Sequence, residues 1–147
     1  MKRLLLLPLL AAQLFAADWY VSPSGDDAWT GRLPEPNADK TDGPFATLTK
    51  ARDTIRPIPG ERVVHIRAGL YELPQGLKFT AEDSGRPYAQ VVWQAYEKEK
   101  PVLIGGRGIT GWKPWKDGIL QADLGAQGFK GAAFKQLLFA GQRQILV

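Results

Sequence analysis

One stretch of this 147-residue chain, Gly43–Arg56 (GPFATLTKARDTIR), carries a helical period, and it is too small to make a core by itself. Leu48, Ala51 and Ile55 recur at the i, i+3, i+7 spacing of one helix face, while Lys50, Arg52, Asp53 and Arg56 fall elsewhere. Thr47 is the expected N-cap, and Pro57, Pro59 and Gly60 stop the helix. A helix with three modest apolar residues must lie on something. Beyond Gly60 the chain reads as strand after strand, so the expected picture is a lid on the end of a strand stack.

The strands show as short runs between turns. Asp18–Pro23 opens with Trp19, Tyr20 and Val21, which favour a pleated surface, and Ser24–Asp27 turns the chain. Ala28–Gly43 has no apolar period and predicts a long surface loop pinned by Trp29 and Leu33. In Glu61–Leu73 the period becomes two: Val64, Ile66 and Ala68 against Val63, His65 and Arg67. Further strands are expected at Leu77–Thr80, Val91–Tyr96, Val102–Ile104, Gly118–Leu124 and Gln136–Phe139, and Gln142–Val147 runs apolar. Sixteen glycines and eleven prolines supply the turns.

The start of the chain has the layout of a leader. Met1-Lys2-Arg3 is positive, Leu4–Phe15 is apolar, and Ala16-Ala17 are small, so residues 1–17 read as a secretory signal peptide cleaved after Ala16 or Ala17. The run is short for a membrane span. The chain's net charge of +4 falls to +2 without Lys2 and Arg3, so no nucleic-acid partner is implied. There is no cysteine, which excludes disulfides and thiolate metal sites and suits a secreted or periplasmic bacterial protein.

Val63-Val64 and Val91-Val92 lie 28 residues apart, and Ile119 lies another 28 beyond Val91. A loose repeat of this size suits a β-solenoid, with one bent strand set per turn. An antiparallel sandwich with regularly spaced turns is the alternative.

The segments WYVSPSGDD, GPFATLTKARDTIR, VVHIRAGLYEL and VVWQAYEKEKPVLIGGRGITGWKPW, in this order, resemble the front of secreted right-handed parallel β-helix proteins of the pectate-lyase-like class. Gly105-Gly106, Ile109–Trp112 and Phe134–Leu137 are similar to the first coils of that group. The resemblance runs from Trp19 to Val147. It implies an all-β solenoid over residues 18–147 with one N-terminal capping helix, truncated before its later coils. It also implies kinship with glycoside hydrolases and polysaccharide lyases of that fold, some fucosidase- or xylanase-like, others without known activity. Catalytic residues of such enzymes usually lie on later coils, so the resemblance transfers none to this chain.

Candidate sites each have a plainer reading. Asp26, Asp27, Asp39 and Asp42 are oxygen ligands of the kind Ca²⁺ uses, but no Asp-x-Asp-x-Asp-Gly pattern is present and aspartate is ordinary turn chemistry. No metal or cofactor is expected. Glu82 with Asp83, or Glu97 with Glu99, offers the carboxylate pair of a glycosidase, which must flank a sugar at roughly 5–10 Å; on polar turns such residues usually stay solvated. His65 is of the type that serves as a general base near neutral pH, yet has no visible partner. Trp112 and Trp115, beside Lys113 and Lys116, form the candidate sugar-stacking platform, against packing over a flank. Trp112 fits the family pattern, and Trp115 is the better candidate for exposure. Arg86, Lys100, Arg107 and Arg143 are spread as on a solvated surface.

The expected function is the N-terminal segment of a secreted, polysaccharide-degrading β-helix protein, hydrolase before lyase, itself inactive. The alternative is a non-catalytic polysaccharide-binding or cell-surface β-helix protein. In either case the partner is a polysaccharide or oligosaccharide.

Overall fold

The computed structural model describes residues 17–129, 131 and 136–145. Residues 1–16 of the expected leader, part of the Phe134–Leu137 segment and the last two residues of the apolar finish lie outside them. The chain divides into two compact units, Met1–Arg107 and Gly108–Val147.

The first unit is mostly β with one short helix. Its strands are β1 (Ala17–Val21), β2 (Arg62–Ile66), β3 (Gly69–Glu72), β4 (Val91–Ala95) and β5 (Pro101–Ile104), and its helix is α1 (Leu48–Ile55). All its strand pairs are parallel: a three-stranded sheet ordered β1-β2-β4 and a two-stranded sheet β3-β5. Parallel pairing excludes the antiparallel sandwich for this unit.

Alternation along each strand sorts the side chains into columns. Trp19 sits over Val64 and Trp93, and Val21 over Ile66 and Ala95. The alternate column stacks Tyr20, His65 and Gln94. Trp19, Val21, Val64 and Ile66 are buried with Phe45, Leu48, Ala51, Ile55 and Tyr71 in one core. Each of the larger side chains contributes about 1.5–3 kcal/mol by leaving water. Ala68, expected to continue the inward face, lies past the end of β2 and is exposed.

The helix begins and ends by identifiable contacts. Thr47 is extended, and its Oγ1 accepts from Lys50 N–H at 3.1 Å. Asp27 Oδ1 accepts from the N–H groups of Ala46 and Thr47, both at 2.9 Å, and Oδ2 accepts from Thr47 Oγ1 at 2.7 Å. At the far end the buried Arg62 guanidinium donates to Ile55 O at 3.2 Å and lies 3.5 Å from Arg56 O, a cation on the helix's unsatisfied carbonyls. Leu48, Ala51 and Ile55 are its buried residues, and α1 packs on β1. The lid covers less than expected: Val64 and Ile66 are buried, but Val91 and Trp93 are only partly covered. With Leu48, Leu77, Phe79 and Leu103 they line an open apolar groove of about 440 Å³.

The Ala28–Gly43 loop closes the free edge of β1. Tyr20 N–H donates to Gly31 O at 2.8 Å and Phe45 N–H to Tyr20 O at 2.9 Å, leaving less of that edge open to pairing. Gly31 has φ +70°, and a Cβ there would run into the Phe45 ring. Asp42 ties the loop by accepting from Thr30 N–H, Thr30 Oγ1 and Gly43 N–H, each at 2.8 Å. These bonds hold its carboxyl below the usual range, Thr30 contributing most. Trp29 abuts Gly43, but Leu33 is 37% exposed, so polar bonds rather than Leu33 pin the loop.

In the first unit one expected strand and the expected repeat differ. Leu77–Thr80 is not a strand: Lys78 O accepts from Arg52 Nη1 at 2.8 Å, and Thr80 leads into a 3₁₀ turn at Ala81–Asp83. The repeat has a register of 29, with Val63 opposite Val92 and Val64 opposite Trp93. That one-residue difference decides which valine faces the core.

In the second unit β6 (Lys113–Pro114) pairs antiparallel with β7 (Leu120–Gln121), and β8 (Leu138–Phe139) with β9 (Gln142–Arg143). Gly118–Leu124 is thus strand only at Leu120–Gln121, and Gln136–Phe139 only at Leu138–Phe139. Ile119 sits at the hairpin, its O accepting from Trp115 N–H at 2.9 Å, and does not open a third parallel turn.

Candidate functional site

In-register stacking gathers side chains that lie far apart in sequence. Tyr20 and His65 stack with centroids 5.0 Å apart and planes at 17°. Tyr96 meets both rings edge-on, at 5.7 and 5.8 Å. His65 Nε2 lies 2.9 Å from Asp18 Oδ1, and its Nδ1 is 3.5 Å from Gln94 Nε2. The partner not visible in sequence is therefore Asp18, 47 residues earlier, placed by the register of β1 on β2. With a carboxylate on one ring nitrogen and an amide facing the other, His65 is held in the ladder rather than free to meet a substrate. Burial, then the Asp18 charge, raises the Tyr20 pKa. The Glu97 charge does most to raise that of Tyr96.

Beside this ladder, Arg67 organises an ion cluster. Its Nε donates to both Glu99 oxygens at 3.0 Å, Nη2 lies 2.9 Å from Glu99 and 3.1 Å from Glu35, and Nη1 donates to Pro34 O. The guanidinium also stands 4.9 Å over the Tyr96 ring. Glu99 accepts from Ala68 N–H as well, and Arg67 above all holds its carboxyl below the usual range. The cluster and Ser22 and Ser24 line a polar cleft of about 200 Å³. Two carboxylates therefore do converge, Glu35 and Glu99, though not the pairs singled out in the sequence. Both are spent on one arginine, and the Glu99 shift is opposite to what a general acid needs. Arg67 and Glu99 are 32 residues apart, the offset that pairs Gly69 of β3 with Pro101 of β5, so the contact follows from that register.

Several of the other acidic candidates are also engaged in structure. Asp83 accepts from Arg56 Nε at 2.8 Å and Nη2 at 3.0 Å, and from Thr80 N–H at 2.7 Å. Arg56 chiefly, then Thr80, lowers its pKa to about 2. Glu82 lies 3.7 Å from Arg56 and is largely exposed. Asp27 holds the helix start, Asp42 the loop, and Asp26 accepts from Ala28 N–H at 2.8 Å. Asp39 is exposed. Among the described residues no three His, Cys, Asp or Glu side chains group as metal ligands would.

Trp112 and Trp115 flank β6, with exposures of 42% and 56%, so neither ring is packed away among the described residues. Trp112 Nε1 donates to Ile109 O at 2.9 Å, which fixes the indole. Trp115 carries the Lys116 ammonium 4.5 Å over its ring. Both offer apolar ring surface to solvent, and Trp115 does so beside a cation.

Parallel sheets closed by one short helix define the first unit as mostly β. The fold is similar to that of a solved glycoside hydrolase, with 30% sequence identity and a TM-score of 0.58 over 69% of this chain. The chain spans 17% of that hydrolase's length. No protein-family model and no curated protein matches.

Proposed function

We propose that this chain is the front of a secreted, carbohydrate-active right-handed parallel β-helix protein that acts on a polysaccharide. The likeness to a glycoside hydrolase at 30% identity carries the reading. The in-register parallel sheets, closed by α1 on β1, support a solenoid that begins here and is continued by later coils. Trp112 and Trp115 are the proposed sugar contacts: a pyranose lays its C–H face on an indole while the lysines bond its oxygens.

Hydrolysis ranks before lyase chemistry. A specific observation also favours a non-catalytic role for this segment: Glu99, Asp83 and Asp27 are consumed by arginines and backbone N–H groups. Catalysis would then fall to carboxylates of other coils. No helix among the described residues is long and apolar enough to cross a membrane. Export is proposed from the leader, and Ala17 N–H donating to Glu61 O at 3.0 Å within β1 supports cleavage after Ala16 rather than Ala17.

The test is to incubate the full-length protein with neutral and acidic polysaccharides and follow reducing ends and unsaturated products. Reducing ends alone mean hydrolysis, unsaturated ends mean a lyase, and binding without either means the non-catalytic alternative. Neither binding nor cleavage on any member would contradict the reading.

A further inference from the structure

The second unit holds a pocket of about 600 Å³, lined among others by Thr110, Lys113, Gln121, Asp123 and Gln127. Some of these side chains are structural. The Gln127 carboxamide is consumed: Oε1 accepts from Thr110 N–H at 2.9 Å and Oγ1 at 3.2 Å, and Nε2 donates to Thr110 O at 3.0 Å and Asp123 O at 2.8 Å. It is a strut joining the two walls. Asp123 Oδ1 accepts from Ala126 N–H at 3.1 Å, which orients the carboxylate.

Three polar groups remain. Among the described residues the Lys113 ammonium, the Gln121 carboxamide and the second Asp123 oxygen hold no hydrogen bond. Lys113 and Gln121 face each other directly across β6 and β7, so both side chains leave the same face of the hairpin, Cβ atoms about 5 Å apart. Asp123 lies two positions beyond Gln121, past the end of β7, and lines the same pocket. Gly111 adds bare backbone to the wall, with nothing within 4 Å of where a Cβ would stand.

We infer that this pocket is a subsite for a neutral pyranose unit, a reading that rests on the carbohydrate role proposed above. The free groups are one donor, one donor-acceptor and one acceptor, the complement that vicinal hydroxyls ask for. Their charges cancel, one ammonium against one carboxylate, so a uronate or sulfated sugar gains nothing from Lys113 that Asp123 does not oppose. The volume falls in the range of small-molecule sites.

The experiment is an NMR titration of the ¹⁵N-labelled chain with neutral oligosaccharides (cello-, xylo-, manno- and galacto-) and with oligogalacturonate. Lys113→Ala and Gln121→Ala, both exposed positions, are compared after their spectra verify the fold. The expected result is that a neutral sugar shifts the amides of Lys113, Gln121 and Asp123 and the Gln121 side-chain NH₂ signals. Each variant should raise Kd about tenfold or more, equal to about 1.4 kcal/mol. Shifts confined to other residues, unchanged affinity in both variants, or preference for oligogalacturonate overturn the pocket assignment and leave the carbohydrate reading standing. No shift with any sugar contradicts both.

Discussion

Asp27 is the residue whose removal tests most directly how α1 is held. Its carboxylate takes two backbone N–H groups and the Thr47 hydroxyl, and so commits the Thr47 proton and leaves that oxygen's lone pairs for Lys50 N–H. Hydrogen bonds to a charged acceptor contribute about 1.5–3 kcal/mol each when shielded. Thr47 is exposed and Ala46 half-buried, so water replaces part of what Asp27→Ala removes, and the expected loss is about 2 kcal/mol. Thr47→Ala should cost about 1 kcal/mol, as N-cap losses do. Because the two residues share one network, the double variant should fall short of the sum by about 1 kcal/mol. Asp27→Asn keeps an oxygen for both N–H groups and should cost less than Asp27→Ala. The assay is urea unfolding followed by far-ultraviolet circular dichroism, with the slope unchanged across the series. An Asp27→Ala protein as stable as the parent, or an Asn variant as damaged as the Ala variant, would refute the capping argument.

Three further outcomes are expected. Leu48→Ala should cost about 2–5 kcal/mol in the same unfolding assay, and Leu48→Asp more, since Leu48 is 1% exposed; unchanged stability would remove the lid from the account. The Asp83 pKa, lowered from 3.8 to about 2 by Arg56, contributes stability that is complete above the ordinary carboxylate range and is lost as pH falls from about 4 through about 2. Asp83→Asn should flatten that part of the stability-versus-pH curve, and an acid limb identical to the parent's would contradict the ion pair. On the proposed export, mass spectrometry of the processed protein should give Ala17 as its first residue; a start at Met1 would contradict the leader, and a start at Asp18 the choice of cleavage after Ala16.

How far the sequence was legible depended on whether an interaction is local. The helix was readable because Leu48, Ala51 and Ile55 share a face and Thr47 sits one residue before it, all within about two turns. Strand β2 was readable because Val64 and Ile66 alternate with Val63 and His65 within five residues. Leu77–Thr80 was misread because its pattern says nothing about Arg52, 26 residues earlier, which takes the Lys78 carbonyl. The spacing of 28 against a register of 29 failed for a related reason: valine pairs mark strands, but only pairing decides which valine lies inward. The Asp18–His65 and Arg67–Glu99 contacts, products of stacking, were invisible until the register was known. Glu82, Asp83, Glu97 and Glu99 were recognisable as carboxylates, but their partners determine their roles. Trp115 was singled out for exposure, and the fold leaves it exposed; what it touches is a matter of chemistry beyond the chain.

The proposed function makes this chain part of a carbohydrate-active protein that meets a sugar through the indoles of the second unit. Isothermal titration calorimetry of the chain against the oligosaccharide panel, repeated with Trp115→Ala, tests it most directly. Saturable binding to at least one oligosaccharide is expected, weakened about tenfold by the substitution. That factor corresponds to about 1.4 kcal/mol, the upper part of what an aromatic contact supplies. Heats indistinguishable from dilution across the whole panel, or equal affinity in the parent and the variant, would contradict it.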